Sequence, residues 1–153
     1  MESTCINYIV ENNNYPIINI LSNINIFELV YSLGTNILKD FKKNFINDDT
    51  MILACNFNNI PILSSFYINL MITKKLEDNK IIYVITNNDN EFDSIQFNYF
   101  NIYVTQQEQN KYKIILDYDI NKEMYSKPII SFVNKILNKL FSNLETYLCK
   151  ITT

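Results

Sequence analysis

Apolar residues recur along this chain with two different periods, and the period changes three times. Residues 3 to 11, STCINYIVE, alternate polar and apolar in their later half and predict a first strand. The next stretch, NNNYPIINILSNINIFELVYSLG, changes to helical spacing. Pro16 suits the first turn of a helix, and Ile17, Ile20 and Leu21 share one face of it. Ser22 and Asn23 read as a break, after which INIFELVYSL predicts a second short helix with Gly34 as its C-cap.

From Thr35 the period returns to two. NILKDFKKNF places Ile37, Phe41 and Phe45 on one face, and TMILACNF does the same for Met51, Leu53, Cys55 and Phe57. IPILSSFYINLMITKKL aligns Ile60, Ile62, Phe66, Ile68, Leu70 and Ile72. KIIYVITNN and FDSIQFNYFNIYVTQQ follow. Then comes KYKIILDYDI, whose Tyr112, Ile114, Leu116, Tyr118 and Ile120 oppose Lys111, Lys113, Asp117 and Asp119. The connections NDD, NN, EDN, NDNE and EQN are short and polar, as antiparallel hairpins require. Six sequential strands are therefore expected to form a meander. Period two also assigns Phe66, Tyr83, Phe97, Tyr99, Tyr103, Tyr112 and Tyr118 inward, and Leu63, Ile82, Val84 and Ile115 outward. A slip of one residue would exchange the two faces.

The last change of period comes at SKPIISFVNKILNKLFSNLETYLCKI. Ser126 suits an N-cap, Pro128 the first turn, and a helix from about 127 to 151 is roughly 37 Å long. Its apolar stripe includes Ile129, Phe132, Val133, Ile136, Leu137, Leu140, Phe141, Leu144 and Leu148, with Asn134 and Asn138 on the other side. An antiparallel sheet with one apolar face needs a cover. A long twisted sheet curls, and a single helix then lies in its concave side. The expected fold class is α+β: a curved seven-stranded antiparallel sheet gripping the C-terminal helix, in one domain over 1–153.

Composition removes much chemistry from this picture. The chain has no His, no Trp and no Arg; all thirteen basic residues are Lys. Imidazole bases, His metal sites and bidentate Arg clamps are thus excluded, and one Gly cannot make a phosphate-cradling loop. No cofactor is expected. With Gly almost gone, Asn takes the left-handed turn positions it tolerates better than other residues. Cys5, Cys55 and Cys149 form no CxxC pair and read as small hydrophobes, a Cys5–Cys149 contact being left open. A net charge of −3, with Lys39, Lys42 and Lys43 as the one basic cluster, argues against nucleic acid. The apolar runs are too short to span a bilayer, and the N-terminus lacks a signal peptide's basic start and apolar core. A cytoplasmic monomer or homodimer is expected.

The segment YPIINILSNINIFELV resembles the first helix, the L-S-D/N break and the second helix of the START-like, Bet v 1-like superfamily, with Leu21, Ser22 and Asn23 at the break. This is the helix-grip, polyketide cyclase-like or SRPBCC group. KYKIILDYDI with SKPIISFVNKILNKLFSNLETYL resembles its final strand, loop and terminal helix. Within the group the resemblance is to small archaeal members. NFNNIPI has no Gly, so the Gly-rich loop of some plant members has no counterpart. The resemblance implies a hydrophobic cavity between sheet and terminal helix, used across the superfamily for lipids, sterols, polyketides or quinones. It also implies alternatives, because some relatives are cyclases or hydrolases and others are interaction modules.

The acid–base candidates are carboxylates, Lys and Tyr. Asp117 and Asp119 share a strand face, Asp48 and Asp49 sit in a turn, and Glu28 lies on an apolar helix. Each has a plain reading as a solvated or turn residue. The aromatic rings are the stronger signal, although they could equally fill the core or wall a cavity. The expected partner is a small apolar molecule. Its wall would be Ile68, Leu70, Tyr83, Tyr99, Tyr103, Leu116, Tyr118, Phe132, Val133, Ile136 and Leu140, with the Tyr hydroxyls orienting it.

Overall fold

The computed structural model describes residues 3–152; Met1, Glu2 and Thr153 lie outside the described residues. Strand β1 (Thr4–Glu11) is followed by helices α1 (Ile18–Leu21) and α2 (Ile26–Leu33). Six strands come next: β2 (Leu38–Asn47), β3 (Thr50–Phe57), β4 (Tyr67–Glu77), β5 (Lys80–Asn87), β6 (Phe97–Glu108) and β7 (Lys111–Ile120). Helix α3 (Lys127–Lys150) closes the order. The strands make one curved, open, antiparallel sheet in the order β1-β7-β6-β5-β4-β3-β2, so β1 and β2 are its edges. Residues of α1, α2 and α3 and the inward faces of all seven strands form one apolar core.

Turn chemistry fixes the hairpins. Asp78 and Asn79 both have positive φ, at 48° and 64°, the arrangement whose twist matches a two-residue hairpin. All five described residues other than Gly with positive φ are Asn or Asp, and Gly34 is not left-handed. Asx residues have taken over the positions that Gly ordinarily holds. Gly34 does cap α2, at φ −124° rather than in the left-handed region that often ends a helix. Its small size is needed for another reason, since a Cβ there would lie 2.3 Å from Leu140 Cδ2.

Three details correct the sequence reading. Residues 60 to 66 are not strand: Pro61–Leu63 forms a 3₁₀ turn, which Pro61 suits because it has no N–H to give a ladder. Leu63 is consequently buried rather than outward, and Ile62 is exposed. In β2 a bulge between Lys39 and Lys42, with Asp40 at φ 55°, breaks the alternation that grouped Ile37, Phe41 and Phe45. In β6 a second bulge separates Phe97, opposite Ile120, from Tyr99, opposite Asp119. One extra residue there flips every later side chain. Phe100, Ile102 and Val104 point inward, while Tyr99 and Tyr103 lie on the convex face.

The cover over the sheet is α3. Ser126 is its N-cap without a side-chain capping bond, and Pro128 lies in its first turn. At its other end Asn12 Nδ2 donates to the carbonyls of Leu148 and Ile151, both at 2.8 Å. This ties the helix end to the residue following β1. Among the described residues no helix is long and apolar enough to cross a membrane.

Candidate functional site

Straight α3 and the curved sheet do not meet everywhere, and a cavity of about 60 Å³ remains between them. Helix α2 contributes Phe27, Val30 and Tyr31 to its wall, and α3 contributes Leu137, Leu140 and Phe141. The sheet side runs from Leu38 and Phe41 through Leu53, Cys55, Ile68, Leu70 and Ile72 to Ile85 and Phe100. No charged side chain lines it. The thiol of Cys55 faces this wall, and burial pushes its pKa up to about 12, so it stays protonated at neutral pH.

Three of the eleven expected wall residues, Ile68, Leu70 and Leu140, line this cavity. Leu116, Val133 and Ile136 are buried in the same core without reaching it. Tyr83 and Tyr118 are buried too, but their hydroxyls are already engaged. Tyr83 donates to the Leu21 carbonyl at 2.6 Å, and Tyr118 donates to Asn134 Oδ1 at 2.7 Å. Each hydroxyl thus spends its proton within the fold. Tyr99 instead donates to Asp117 Oδ1 on the convex face, and the Lys80 ammonium sits over the Tyr103 ring. Phe132 is 38% exposed, because α3 presents Val133, Ile136 and Leu137 to the sheet. Asn134 and Asn138, expected on the solvent side, accept from Tyr118 and Tyr8 across to the β1–β7 edge.

Sequence reasoning missed the α2 wall. The apolar face of IFELVYSL was visible, but only the fold shows that it meets β2 across the cavity. Cys55 and Leu53 were placed inward correctly by period two.

The candidate carboxylates lie elsewhere. Asp117 and Asp119 are on the convex face, the latter accepting from Asn98 at 2.8 Å. Asp49 donates its backbone N–H to Asn47 Oδ1 in the β2–β3 turn. Glu28 pairs with Lys43 at the protein surface, beside α2. Among the described residues, no cluster of three or more Cys, Asp or Glu could hold a metal ion. Cys5 and Cys149 are both free and exposed.

No family model and no curated protein sequence matches the chain. Solved structures do match it in shape. Human StAR-related lipid transfer protein 5 superposes with a TM-score of 0.68 at 11% identity, over 93% of this chain and 73% of that one. A START superfamily protein from Mycobacterium smegmatis gives 0.55 at 11% identity, over 96% and 97% of the two chains. Norcoclaurine synthase from Thalictrum flavum, a point mutant bound to a transition-state analogue, gives 0.52 at 13%, over 92% and 96%. These likenesses cover more than nine-tenths of the chain, which has the START-like, Bet v 1-like helix-grip fold.

Proposed function

We propose that this chain binds a compact, neutral, apolar molecule in the cavity beneath α3. The observation that carries this reading is the wall itself: side chains from five strands and two helices converge on a gap with no charged group in it. Apolar gaps of this kind stay dry and take apolar guests. The fold supports the reading, since one neighbour is named for lipid transfer.

Size sharpens it. About 60 Å³ is under half the roughly 150 Å³ of an apolar cavity that binds benzene, and far below a drug-sized site. A single ring enters only if the wall yields, and a whole lipid, quinone or polyketide needs a larger opening. The reading favours binding over catalysis because the candidate carboxylates do not face the cavity.

Fluorobenzene, followed by ¹⁹F NMR, is a suitable probe. Saturable binding is expected for the native chain and loss of about tenfold or more in affinity for Leu70→Phe, whose larger ring occupies the gap. Equal binding by the two proteins, with both folded by circular dichroism, would place the probe elsewhere. An absence of binding in the native chain would remove the proposal.

A further inference from the structure

We propose that the seam between α2 and β2 is the entrance to this cavity, closed by the Tyr31–Phe41 ring pair and latched by the Lys43–Glu28 ion pair. The proposal rests on the cavity being a binding site and adds where that site opens. Tyr31 and Phe41 both line the cavity, and both are partly exposed on their other side. Their rings stack at 4.6 Å with 23° between planes. At this place the barrier between cavity and solvent is one pair of rings.

The elements flanking the rings are those that move at least cost. Helix α2 has only eight residues and leans on α3. Strand β2 is a sheet edge, paired on one side only, and its ladder to β3 is broken by the bulge next to Phe41. Among the described residues, backbone hydrogen bonds join the two elements only at the turn, where the Gly34 carbonyl accepts from Ile37 and Leu38, and none joins Ile26–Leu33 to β2. The polar links over the seam come from Lys43, which pairs with Glu28 and reaches Asn25 Oδ1 at 3.3 Å. Parting the seam therefore breaks a stack and an exposed ion pair, and leaves no buried polar group unsatisfied.

The packing near the start of α3 is built differently. Phe66, Phe92 and Tyr125 pack with centroids 5.3 to 5.8 Å apart. The Tyr125 hydroxyl accepts from the Gln96 N–H and lies 3.0 Å from the carbonyls of Phe92 and Ser94. Gln96 Nε2 holds the same loop through the carbonyls of Asp89, Glu91 and Ser94. Opening there costs several buried hydrogen bonds. The cavity does not reach these rings.

A latch that is no part of the ligand wall makes a distinctive kinetic prediction. Weakening it populates the open form both before and after binding, so on- and off-rates rise together and affinity stays level. Fluorobenzene exchange, read by ¹⁹F line shape, should show both rates up about two- to fivefold in Glu28→Gln and in Lys43→Gln, the range expected of an exposed pair. The double swap Glu28→Lys with Lys43→Glu should return both rates toward native. Unchanged rates in the single variants, with the probe still bound, would overturn the entrance while leaving the binding site standing. So would acceleration by Tyr125→Phe alone, which would move the opening to the start of α3. Loss of all binding in the native chain would defeat the underlying reading instead.

Discussion

Asn12, Ser94 and Gln96 are the buried polar residues among those described, and Asn12 shows how one side chain can join two ends of a fold. Its Nδ2 donates to two α3 carbonyls while its Oδ1 accepts the Asn14 N–H at 2.8 Å. In the sequence it is the first residue of an NNN run, and nothing local separates it from its neighbours. Buried hydroxyls and the cavity thiol carry a measurable consequence at the same scale. Burial raises Cys55 from its ordinary value near 9 to about 12, and chiefly by burial Tyr8 and Tyr118 rise from 10 to about 12. Burial pushes Tyr83 up as well. Each group holds its proton more tightly in the folded chain than in the unfolded one. Their contribution to stability is complete below about pH 9 and falls as pH rises toward 12. Urea midpoints should accordingly be level near neutrality and decline steeply above pH 10. Tyr83→Phe should cost about 1 kcal/mol at pH 8, through the lost bond to the Leu21 carbonyl, yet decline less steeply at high pH. Parallel alkaline slopes for the two proteins would show that Tyr83 does not titrate with unfolding.

At the scale of elements, regular periods were legible in the sequence and interruptions were not. Strands β3, β5 and β7 follow their patterns without a break, and helix α3 follows its own except at Phe132, which is exposed, and at Asn134 and Asn138, which bond to the sheet. Strands β2 and β6 each carry a bulge that no residue type announces. The β6 bulge moved Tyr99 and Tyr103 out of the interior and brought Phe100 in. Ile82 is an intermediate case: outward by register, yet only 8% exposed beneath its neighbours on the convex face. Gly34 was legible as a helix end and illegible as a contact. Its packing makes Gly34→Ala overfill the α2–α3 junction, where Leu140 Cδ2 would have to move. The expected cost is about 1–3 kcal/mol in denaturant titration. Adding Leu140→Ala to Gly34→Ala should cost less than the two single effects combined, because the smaller side chain removes the clash. Strict additivity would mean that the strain lies in the backbone rather than in this contact.

On the scale of the whole molecule, the sequence carried the architecture because architecture follows from which faces are apolar. The size and outline of the cavity follow from how well a curved sheet and a straight helix mate. That depends on bulges, on α2 and on rotamers, none of which periodicity reports. The interior is therefore neither solid nor spacious: aliphatic side chains and aromatic rings together fill most of it, and about 60 Å³ is left under α2 and α3. Such a gap has a stability cost, since its lining atoms lose dispersion contacts. Val30 offers a way to separate a packing flaw from a maintained site. It is buried on α2, lines the gap, and can become Ile with one added methylene and no change in branching at Cβ. Filling should stabilise the fold by up to about 0.8 kcal/mol in urea titration. If the gap is the binding site, the same substitution should weaken fluorobenzene binding severalfold, so stability and affinity move in opposite directions. A Val30→Ile protein that is more stable and binds the probe as before would show that the gap under α2 and the place of binding are different.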